Sequence, residues 1–449
     1  MAAEKDIIVA LELATTTIRA IAGQRMADGS MQVLAYAEEN AANCIRKGVI
    51  DNIDKTTQAI SRVLGQIGLQ IGHTISRFYI GLSGQSLHSV PNCIKRSFTE
   101  KTQISNEMID QLMDTNRGIV YTDSQILEVI PQEYNVGNRA VSDIVGMQVE
   151  NLEANFLNII ARNSLTENIE KCIQTTDYEI AELLITHQTL GDTILSASEK
   201  RSGCALVDLG ADTTSVSIYT NNILRKLIVL PIGSNNATID LAKTLNITTE
   251  PEEAENLKVK YGRAWTENAE TSKNNIISIS HDRSTTEYQI CSTIEARYEE
   301  IILNIWAQIM EYKDKLTSGI IVTGGGSQIK QFDEAFKNLT KSSKMVRIVK
   351  GLPADVTIAP NVIISDNGRI NSILSLLLHG NQNCIIHEAK DPIAEEETTV
   401  QESTTESAQN IVEQEDLTEE REETNENNNS TKKKKSFWQI LKDALEEDN

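Results

Sequence analysis

Several features that the sequence lacks narrow the class of this protein. No run approaches the ~20 apolar residues that a membrane-spanning helix needs. The six cysteines are scattered without a CxxC pair, so we expect free thiols rather than a metal or disulfide framework. Met1–Asp6 carries charges but no apolar core, and we therefore expect no secretory signal.

Basic charge is also scarce. The net charge is −22, and residues 388–431 hold fifteen acidic residues against two basic ones. Without a basic surface to neutralise phosphates, we expect no nucleic-acid partner. The same stretch is rich in Glu, Thr, Gln and Asn and has no aromatic residue. It is predicted to be a disordered acidic linker, the alternative being a solvated charged helix.

Two strand–turn–strand units lie about 200 residues apart, which indicates a duplicated α/β fold. Each unit has an apolar strand, an acidic residue at or near its end, a Thr-containing turn and two further strands. The predicted strands are Ile7–Leu11, Ile18–Ala22 and Met31–Ala35 in the first unit, and Cys204–Asp208, Ser215–Tyr219 and Leu224–Leu230 in the second. A third turn, Gly324–Ser327, follows the apolar run Ile320–Thr323.

The three turns have the order expected of an actin-type ATPase. In such proteins two hairpins hold the phosphates of ATP with backbone N–H groups, and acidic residues hold Mg²⁺ through water. A glycine-rich loop lets the backbone approach the adenosine closely. The predicted ATP-binding residues are Glu12, Ala14, Thr15, Thr16, Thr17, Asp208, Gly210, Ala211, Asp212, Thr213, Thr214, Gly324, Gly325, Gly326 and Ser327, with Glu12 and Asp208 at the Mg²⁺.

Four segments resemble the FtsA family of bacterial cell division. They are Lys47–Ile53, Val129–Tyr134, Glu253–Lys258 and Ile294–Tyr298. Val129–Tyr134 reads VIPQEY, which is very characteristic of the family, whereas the glycine turns are shared by all actin-like proteins. The resemblance extends over nearly the whole chain.

This resemblance implies an actin-like (RNase H-like, duplicated) fold with an inserted SHS2-type subdomain. The implied domains are 1–82 with 159–202, the insert 83–158, 203–234 with 317–387, 235–316, the linker 388–431 and a terminal helix 432–449. It also implies that Glu255 and Lys258 face the ribose and base edge of the nucleotide. From the residues alone, an exposed ion pair on a helix is the simpler interpretation of this pair.

The family function implied is that of a scaffold at the division site. Such a protein tethers filaments of the tubulin-like FtsZ to the cytoplasmic face of the inner membrane, recruits later divisome proteins and self-associates into filaments. The FtsZ C-terminal tail is expected on the subdomain that holds a long helix predicted over Arg297–Leu316. We expect ATP binding with weak or no ATPase activity.

The phosphate turns depart from the family pattern. Where the family has E-x-G-T-x-K, this chain has Ala14 and Thr17 in place of the glycine and the lysine. In the second hairpin Ala211 and Asp212 replace two glycines, which would require a rebuilt turn if those positions need positive φ. Hydrolysis also requires a group that orients the attacking water. Beside Asp208, the candidates are Gln188 and its neighbour His187.

The C-terminus is predicted to form a membrane-binding helix. An apolar stripe at helical spacing follows a basic run and the possible N-cap Ser436. Such a helix lies in a lipid interface, where each lysine adds ~1 kcal/mol near anionic phospholipid. The residues concerned are Lys432, Lys433, Lys434, Lys435, Phe437, Trp438, Ile440, Leu441, Ala444 and Leu445. Docking of this helix on the protein body or in a partner groove is the alternative.

Two other functions remain open at this point. An actin-fold metabolite kinase would need a carboxylate base aimed at a substrate hydroxyl, and no motif for one is found. A pilus-assembly scaffold would share the actin-like body and the insertion, but is expected to lack the acidic linker and the terminal helix.

Overall fold

The computed structural model describes residues 6–41, 44–137, 139–266, 275–279, 283–364 and 368–386. The predicted linker 388–431 and terminal helix 432–449 lie outside the described residues. Among the helices that are described, none is both long and apolar enough to cross a membrane.

Strands and helices alternate along the chain, as expected of an α/β protein. The strands are β1 Ile7–Leu13, β2 Thr17–Arg25, β3 Met31–Asn40, β4 Ile45–Arg46, β5 Val49–Ile50, β6 Arg77–Leu82, β7 His88–Gln103, β8 Ser124–Val136, β9 Arg139–Val141, β10 Gln148–Arg162, β11 Glu179–Ile185, β12 Cys204–Leu209, β13 Thr214–Thr220, β14 Ile223–Leu230, β15 Ile276–Ile279, β16 Arg283–Thr286, β17 Ile320–Thr323, β18 Val346–Ile348 and β19 Val356–Ile358. The helices are α1 Ile53–Ile71, α2 Asn106–Arg117, α3 Asn163–Ile173, α4 Thr186–Ile194, α5 Ala197–Ser202, α6 Asn235–Thr244, α7 Pro251–Tyr261, α8 Glu287–Ile309, α9 Phe332–Thr340 and α10 Asn371–His379, with 3-10 turns at Met310–Lys315 and Gly325–Gln328.

Two sheets repeat one topology, which confirms the predicted duplication. The first has the order β11-β6-β1-β2-β3-β19, and the second contains the run β18-β17-β12-β13-β14. In each, the first strand pairs antiparallel with the next strand of its hairpin and parallel with a strand that arrives later in the chain. The carboxyl ends of β1, β12 and β17 are each followed by a turn or loop, and ligands of α/β folds commonly bind at such strand ends.

Apolar residues of each sheet pack against helices in separate cores. One core combines β1–β3 and β6 with α1 and α10, and a second combines β12, β13 and β17 with α6, α8 and α9. Helix α1 buries Ile60, Val63, Leu64 and Ile67, the face that its sequence spacing predicts. Asn52 caps its first turn by accepting a hydrogen bond from the Lys55 backbone N–H at 2.9 Å.

The long helix of the second half lies ten residues upstream of its predicted start. It spans Glu287–Ile309, and a 3-10 turn replaces the expected α-helix from Met310 onward. Thr286 accepts a hydrogen bond from the Gln289 backbone N–H at 3.2 Å, so a side-chain cap decides where this helix begins.

The insert, residues 83–158 of the prediction, joins the sheet of the second half. Strands β7, β10, β8 and β9 pair in that order, and β7 lies beside β14, where Ile228 pairs with His88. The Val229 backbone N–H also donates to the Leu87 carbonyl at 3.2 Å. The insert leaves the chain after β6 of the first sheet, yet its backbone hydrogen bonds reach the second.

Candidate functional site

The carboxyl ends of β1 and β17 meet at the start of α10. Ser372 donates a hydrogen bond to Glu12 at the end of β1, and the Asn371 side-chain nitrogen donates to Thr323 Oγ1 at 3.2 Å. Thr323 is paired with Asp208 across β17 and β12. Two successive residues of α10 therefore connect the end of β1, which holds Glu12, with the end of β17, which lies beside Asp208.

Glu12 is held by donors on both of its oxygens. Arg19 Nη1 donates to Glu12 Oε2 at 3.1 Å, while Ser372 donates to Oε1. Arg19 also donates to the Arg369 carbonyl at 3.0 Å, and it lies 3.8 Å from Glu38. Both Arg19 and Glu12 are buried, so a cation is built into the base of the first hairpin. Sequence reasoning missed Arg19, although its place two residues after Thr17 was visible.

Asp208 has a different environment. Within the described part of the chain, no hydrogen bond or ion pair is made to its carboxylate. Burial, together with the nearby charge of Glu12, raises the pKa of Asp208 to about 7, and Arg19 opposes this rise. Glu12 and Asp208 are two carboxylates with Arg19 as the positive group that acts on both, so one negative charge is left over. This excess charge favours a further cation or a proton at Asp208.

The first hairpin turn needs no glycine in this chain. The Ala14 backbone N–H donates to the Thr17 carbonyl at 3.1 Å and closes the turn. Ala14 does not have a positive φ, so an alanine fits the backbone without strain. Thr15 is half-buried, Thr16 is exposed, and the buried Thr17 Oγ1 lacks a partner among the described residues.

The second hairpin turn is closed by a hydrogen bond from the Gly210 backbone N–H to the Thr213 carbonyl at 2.9 Å. Ala211 and Asp212 also lack positive φ, so neither replacement strains the turn. Asp212 Oδ1 accepts a hydrogen bond from the Asn235 side chain at 2.9 Å, which ties this carboxylate to the start of α6. Thr214 is fully buried and donates to the Ile232 carbonyl at 2.7 Å.

The glycine loop packs tightly against the second hairpin. Gly324 has φ +87°, and a Cβ there would lie 2.4 Å from Asp208 Oδ1 and 2.5 Å from the Leu209 carbonyl oxygen. A Cβ on Gly326 would lie 2.7 Å from Leu209, whereas Gly325 has room for one. Ser327 is buried and donates to the Gly324 carbonyl at 2.7 Å. The turns predicted from Asp208 and Gly324 are therefore in contact.

Lys258 and Glu255 do not form an exposed surface pair. Lys258 is 5% exposed. Its Nζ lies 2.6 Å from Glu255 and 2.8 Å from Thr238 Oγ1, and Thr238 donates to Glu255 at 2.5 Å. Lys258 also contacts the Ser234 carbonyl at 3.3 Å, just after Gly233, which packs on the Ala211 carbonyl. The pair is thus joined to the loop that supports the second hairpin.

The two residues considered for orienting water have different surroundings. His187 is buried, and neither of its ring nitrogens has a partner among the described residues. Burial lowers its pKa to about 4, so the ring is neutral near pH 7. Gln188 lies near Glu128 of the insert, where burial raises the pKa of Glu128 and the Gln188 side chain opposes this rise. The catalytic role of Gln188 stays a prediction.

Comparison with known proteins identifies the family. The model described as "Cell division protein FtsA" matches residues 205–365, and the model for the SHS2 domain inserted in FtsA matches residues 84–160. The Cell division protein FtsA of Porphyromonas gingivalis is 30% identical over 348 residues, covering 76% of this chain and 72% of that protein. This chain belongs to the FtsA family. It is an actin-like cell-division protein.

Other comparisons agree with this assignment. The FtsA of Pseudomonas aeruginosa is 26% identical over 383 residues, or 84% of this chain and 89% of that protein. The solved PilM-PilN type IV pilus biogenesis complex shares the fold, with a TM-score of 0.59 at 14% identity over 83% of this chain and 97% of that one. The predicted family, the actin-like fold and the SHS2-type insertion are confirmed.

The FtsA-like segment Val129–Tyr134 joins the insert to the second half. Arg225 of β14 binds both carboxylate oxygens of Glu133, and it donates to Gln132 at 3.0 Å. Gln132 in turn donates to the Leu224 carbonyl at 3.0 Å. We call Gln132, Glu133, Leu224 and Arg225 the Arg225 cluster. Sequence reasoning noted the segment only as a family feature, because its partner lies 92 residues away.

Proposed function

We propose that this FtsA-family protein binds ATP with Mg²⁺ between the two hairpins, Ala14–Thr17 and Gly210–Thr214, and the glycine loop Gly324–Ser327. The observation that carries this proposal is Asp208, a carboxylate that has no hydrogen-bond or ion-pair partner among the described residues and lies against the glycine loop and close to Glu12. Backbone N–H groups of the turns would hold the phosphates. Lys258 and Glu255 would bind the ribose and base edge.

The residues present fit a magnesium ion held mainly by the nucleotide. Mg²⁺ usually keeps several waters and takes one or two carboxylates together with phosphate oxygens. Asp208 would take the ion through a water, and no donor to its carboxylate is found among the described residues. Glu12 would also contact a water of the ion, since each of its oxygens accepts one hydrogen bond from the side chains of Arg19 and Ser372 and can accept another. The buried Thr17 Oγ1, which lacks a partner among the described residues, adds a hydroxyl at the first turn.

When bound, Mg²⁺ would neutralise charge on the phosphate oxygens. Arg19 would then keep Glu12 in place and offset its charge. The positive contact to the phosphates that the resemblance assigns to the family lysine would be missing at Thr17. Asn235 would hold the Asp212 carboxylate beside α6. These contacts support ATP binding more directly than hydrolysis, and we propose weak or absent ATPase activity.

At the cellular level we propose a tether between FtsZ and the membrane. Family membership supports this role. The proposed domains are 1–82 with 159–202, the insert 83–158, 203–234 with 317–387, and 235–316. The FtsZ C-terminal tail would bind the subdomain 235–316, and the insert would serve self-association and later divisome proteins. The helix 432–449 would bind anionic phospholipid at the cytoplasmic face of the cell membrane at the division site, and the linker 388–431 would keep the body off the surface.

The deciding experiment is flotation of the full chain with anionic liposomes and a fluorescent FtsZ tail peptide, with and without Mg-ATP. We expect protein and peptide to float together. The matched variant W438E/L441E should remain folded but stay at the bottom of the gradient.

Each outcome has a clear meaning. Flotation of the variant would refute the membrane role of the terminal helix. Protein that floats without the peptide would refute the FtsZ role. Absence of binding by a fluorescent ATP analogue, with and without Mg²⁺, would refute the nucleotide site.

A further inference from the structure

A cleft of about 650 Å³ lies beside the Arg225 cluster, between the insert and the second half. One wall comes from β7, β8 and β10 of the insert. The other comes from the end of α5, the β13–β14 turn and the 3-10 turn after α8. It is separate from the candidate nucleotide site, since no residue assigned to that site lines it.

The charge lining this cleft is opposite in sign to that of the protein. Arg201, Arg225 and Lys315 line it together with one acidic residue, Glu133, in a chain whose net charge is −22. Glu133 already binds Arg225, and this contact holds the pKa of Glu133 below its usual range. Arg201 and Lys315 are exposed, and neither forms an ion pair within the described residues. The charge of Lys315 also helps to lower the pKa of Glu133, and its Nζ lies 6.0 Å from the centre of the Tyr312 ring. Two cations are therefore available to a ligand.

Amide side chains supply the other polar groups. Asn92 donates to Asn116 at 2.7 Å, and Asn155 donates to the Glu133 carbonyl at 2.9 Å. These bonds use the amide nitrogens and orient both groups. Asn92 lies on the opposite face of β7 from Cys93, and its amide is engaged with the buried Asn116 of α2. No donor to the Asn155 amide oxygen is found in the described part of the chain, so this oxygen can accept a backbone N–H of a ligand.

Hydrogen bonds within the protein hold both walls of the cleft in place. The Asn221 and Asn222 backbone N–H groups donate to the Arg201 and Lys200 carbonyls at 3.2 and 3.1 Å, which ties the β13–β14 turn to α5. The Arg225 cluster connects the opposite wall, through Gln132 of β8, to β14, the strand that follows this turn. A preformed cleft binds with a smaller ordering cost than one that must assemble around its ligand.

We propose that this cleft is a docking site for an acidic peptide segment of a partner protein. Arg201 and Lys315 would pair with carboxylates of the segment, and Asn155 would accept one of its backbone N–H groups. The cleft volume lies within the range of ligand sites and would hold a few residues. A peptide explains the combination of cations and amides, whereas a free anion would use the cations alone. The site does not depend on ATP, FtsZ or membrane binding.

The test uses Cys93, which lines the cleft and is exposed, whereas the other five cysteines are buried. A fluorescein-labelled octapeptide with four glutamates and two leucines is titrated into the full chain by anisotropy at low salt. The rate of Cys93 alkylation is then measured with and without the unlabelled peptide. The cleft variant is R201E/K315E. The control K55E/K337E makes the same charge change at exposed lysines of α1 and α9.

We expect the cleft variant to lose at least tenfold in peptide affinity and the control to stay within about twofold. Only the cleft variant removes the two cations that would pair with the peptide carboxylates. The peptide should slow alkylation of Cys93 in the wild type and in the control, but not in the cleft variant. No peptide binding, equal losses in both variants or an unprotected Cys93 would overturn the proposal. Inorganic phosphate that displaces the peptide at matched concentration would show a simple anion site and would also overturn it.

Discussion

Asp208→Asn should make the ligand-free protein more stable at neutral pH and also abolish its response to Mg-ATP. Burial and the charge of Glu12 raise the pKa of Asp208 from 3.8 to about 7. The folded state therefore binds this proton more tightly than the unfolded state, and ionisation of Asp208 destabilises the fold. Asparagine keeps the shape of the side chain and cannot ionise.

The size of the effect follows from the two pKa values. A gap from 3.8 to about 7 corresponds to ~4 kcal/mol once the group is fully ionised. Because Asp208 is half-buried and solvent screens part of this cost, we expect ~3 kcal/mol. For a folded part of this size, that amount raises Tm by about 4 °C.

The pH dependence shows whether the difference in stability between D208N and the wild type comes from ionisation of Asp208. Below pH 4 the carboxyl is protonated in both states, so wild type and variant should differ only by a constant offset. Between pH 4 and 7 the unfolded chain is ionised while the folded one is still protonated, and the variant should gain progressively. Above pH 7 the gain should be constant.

Thermal unfolding of the full chain between pH 4 and 8, with and without Mg-ATP, measures both effects. Wild type should be stabilised by Mg-ATP and the variant should not, since binding to the folded state alone raises Tm. Glu299→Gln, which removes an exposed carboxylate on α8, is the matched control. A pH-independent difference between D208N and wild type would refute the argument from burial, and retained Mg-ATP stabilisation would show that the phosphate site is misplaced.

Three further changes test other contacts. Gly324→Ala should abolish binding of a fluorescent ATP analogue, because the new Cβ would lie 2.4 Å from the Asp208 carboxylate oxygen. The control Gly29→Ala has a similar φ of +88° but free space around it, so it should lower the free energy of unfolding by only about 1 kcal/mol and leave binding intact. Arg225→Ala should destabilise the protein by about 2 kcal/mol in urea unfolding at pH 7 and speed hydrogen exchange in β8, since it removes the charged hydrogen bonds to the half-buried Glu133. Arg225 lowers the pKa of Glu133, so this loss should shrink as the pH falls below 4.5, the ordinary value for Glu, and a pH-independent loss would contradict it. Lys258→Met should weaken ATP-analogue binding at least tenfold with an unchanged far-UV spectrum, and undiminished affinity would place the base edge elsewhere.

Much of the architecture was predictable from local patterns. Runs such as Ile7–Leu11 and Cys204–Asp208 are apolar, short and bounded by turn residues, and both formed the strands expected of them. Repetition of this arrangement predicted two equivalent sheets. The VIPQEY segment identified the family, which supplied the insertion that periodicity alone would not reveal.

The partners of individual side chains were not predictable in the same way. Glu12 was expected at Mg²⁺, which stays a prediction, but its protein donors Arg19 and Ser372 were not foreseen, and Ser372 lies 360 residues along the chain. Likewise, Lys258 has the spacing of an exposed ion pair but is buried against Thr238. The start of α8 was misplaced because the prediction rested on the apolar stripe in the C-terminal half of the helix, whereas the buried face begins at Ile290 and the cap is Thr286.

The sequence by itself determined the elements, their order and the family, because strand and helix formation depend on patterns within about ten residues and the turns depend on a few residues each. Only tertiary packing determines that the insert joins the second sheet, that Arg225 pairs with Glu133 and that Asp208 has no donor among the described residues. These outcomes depend on which distant surfaces pack together. Burial then sets the energy of each charge, and no local pattern contains that information.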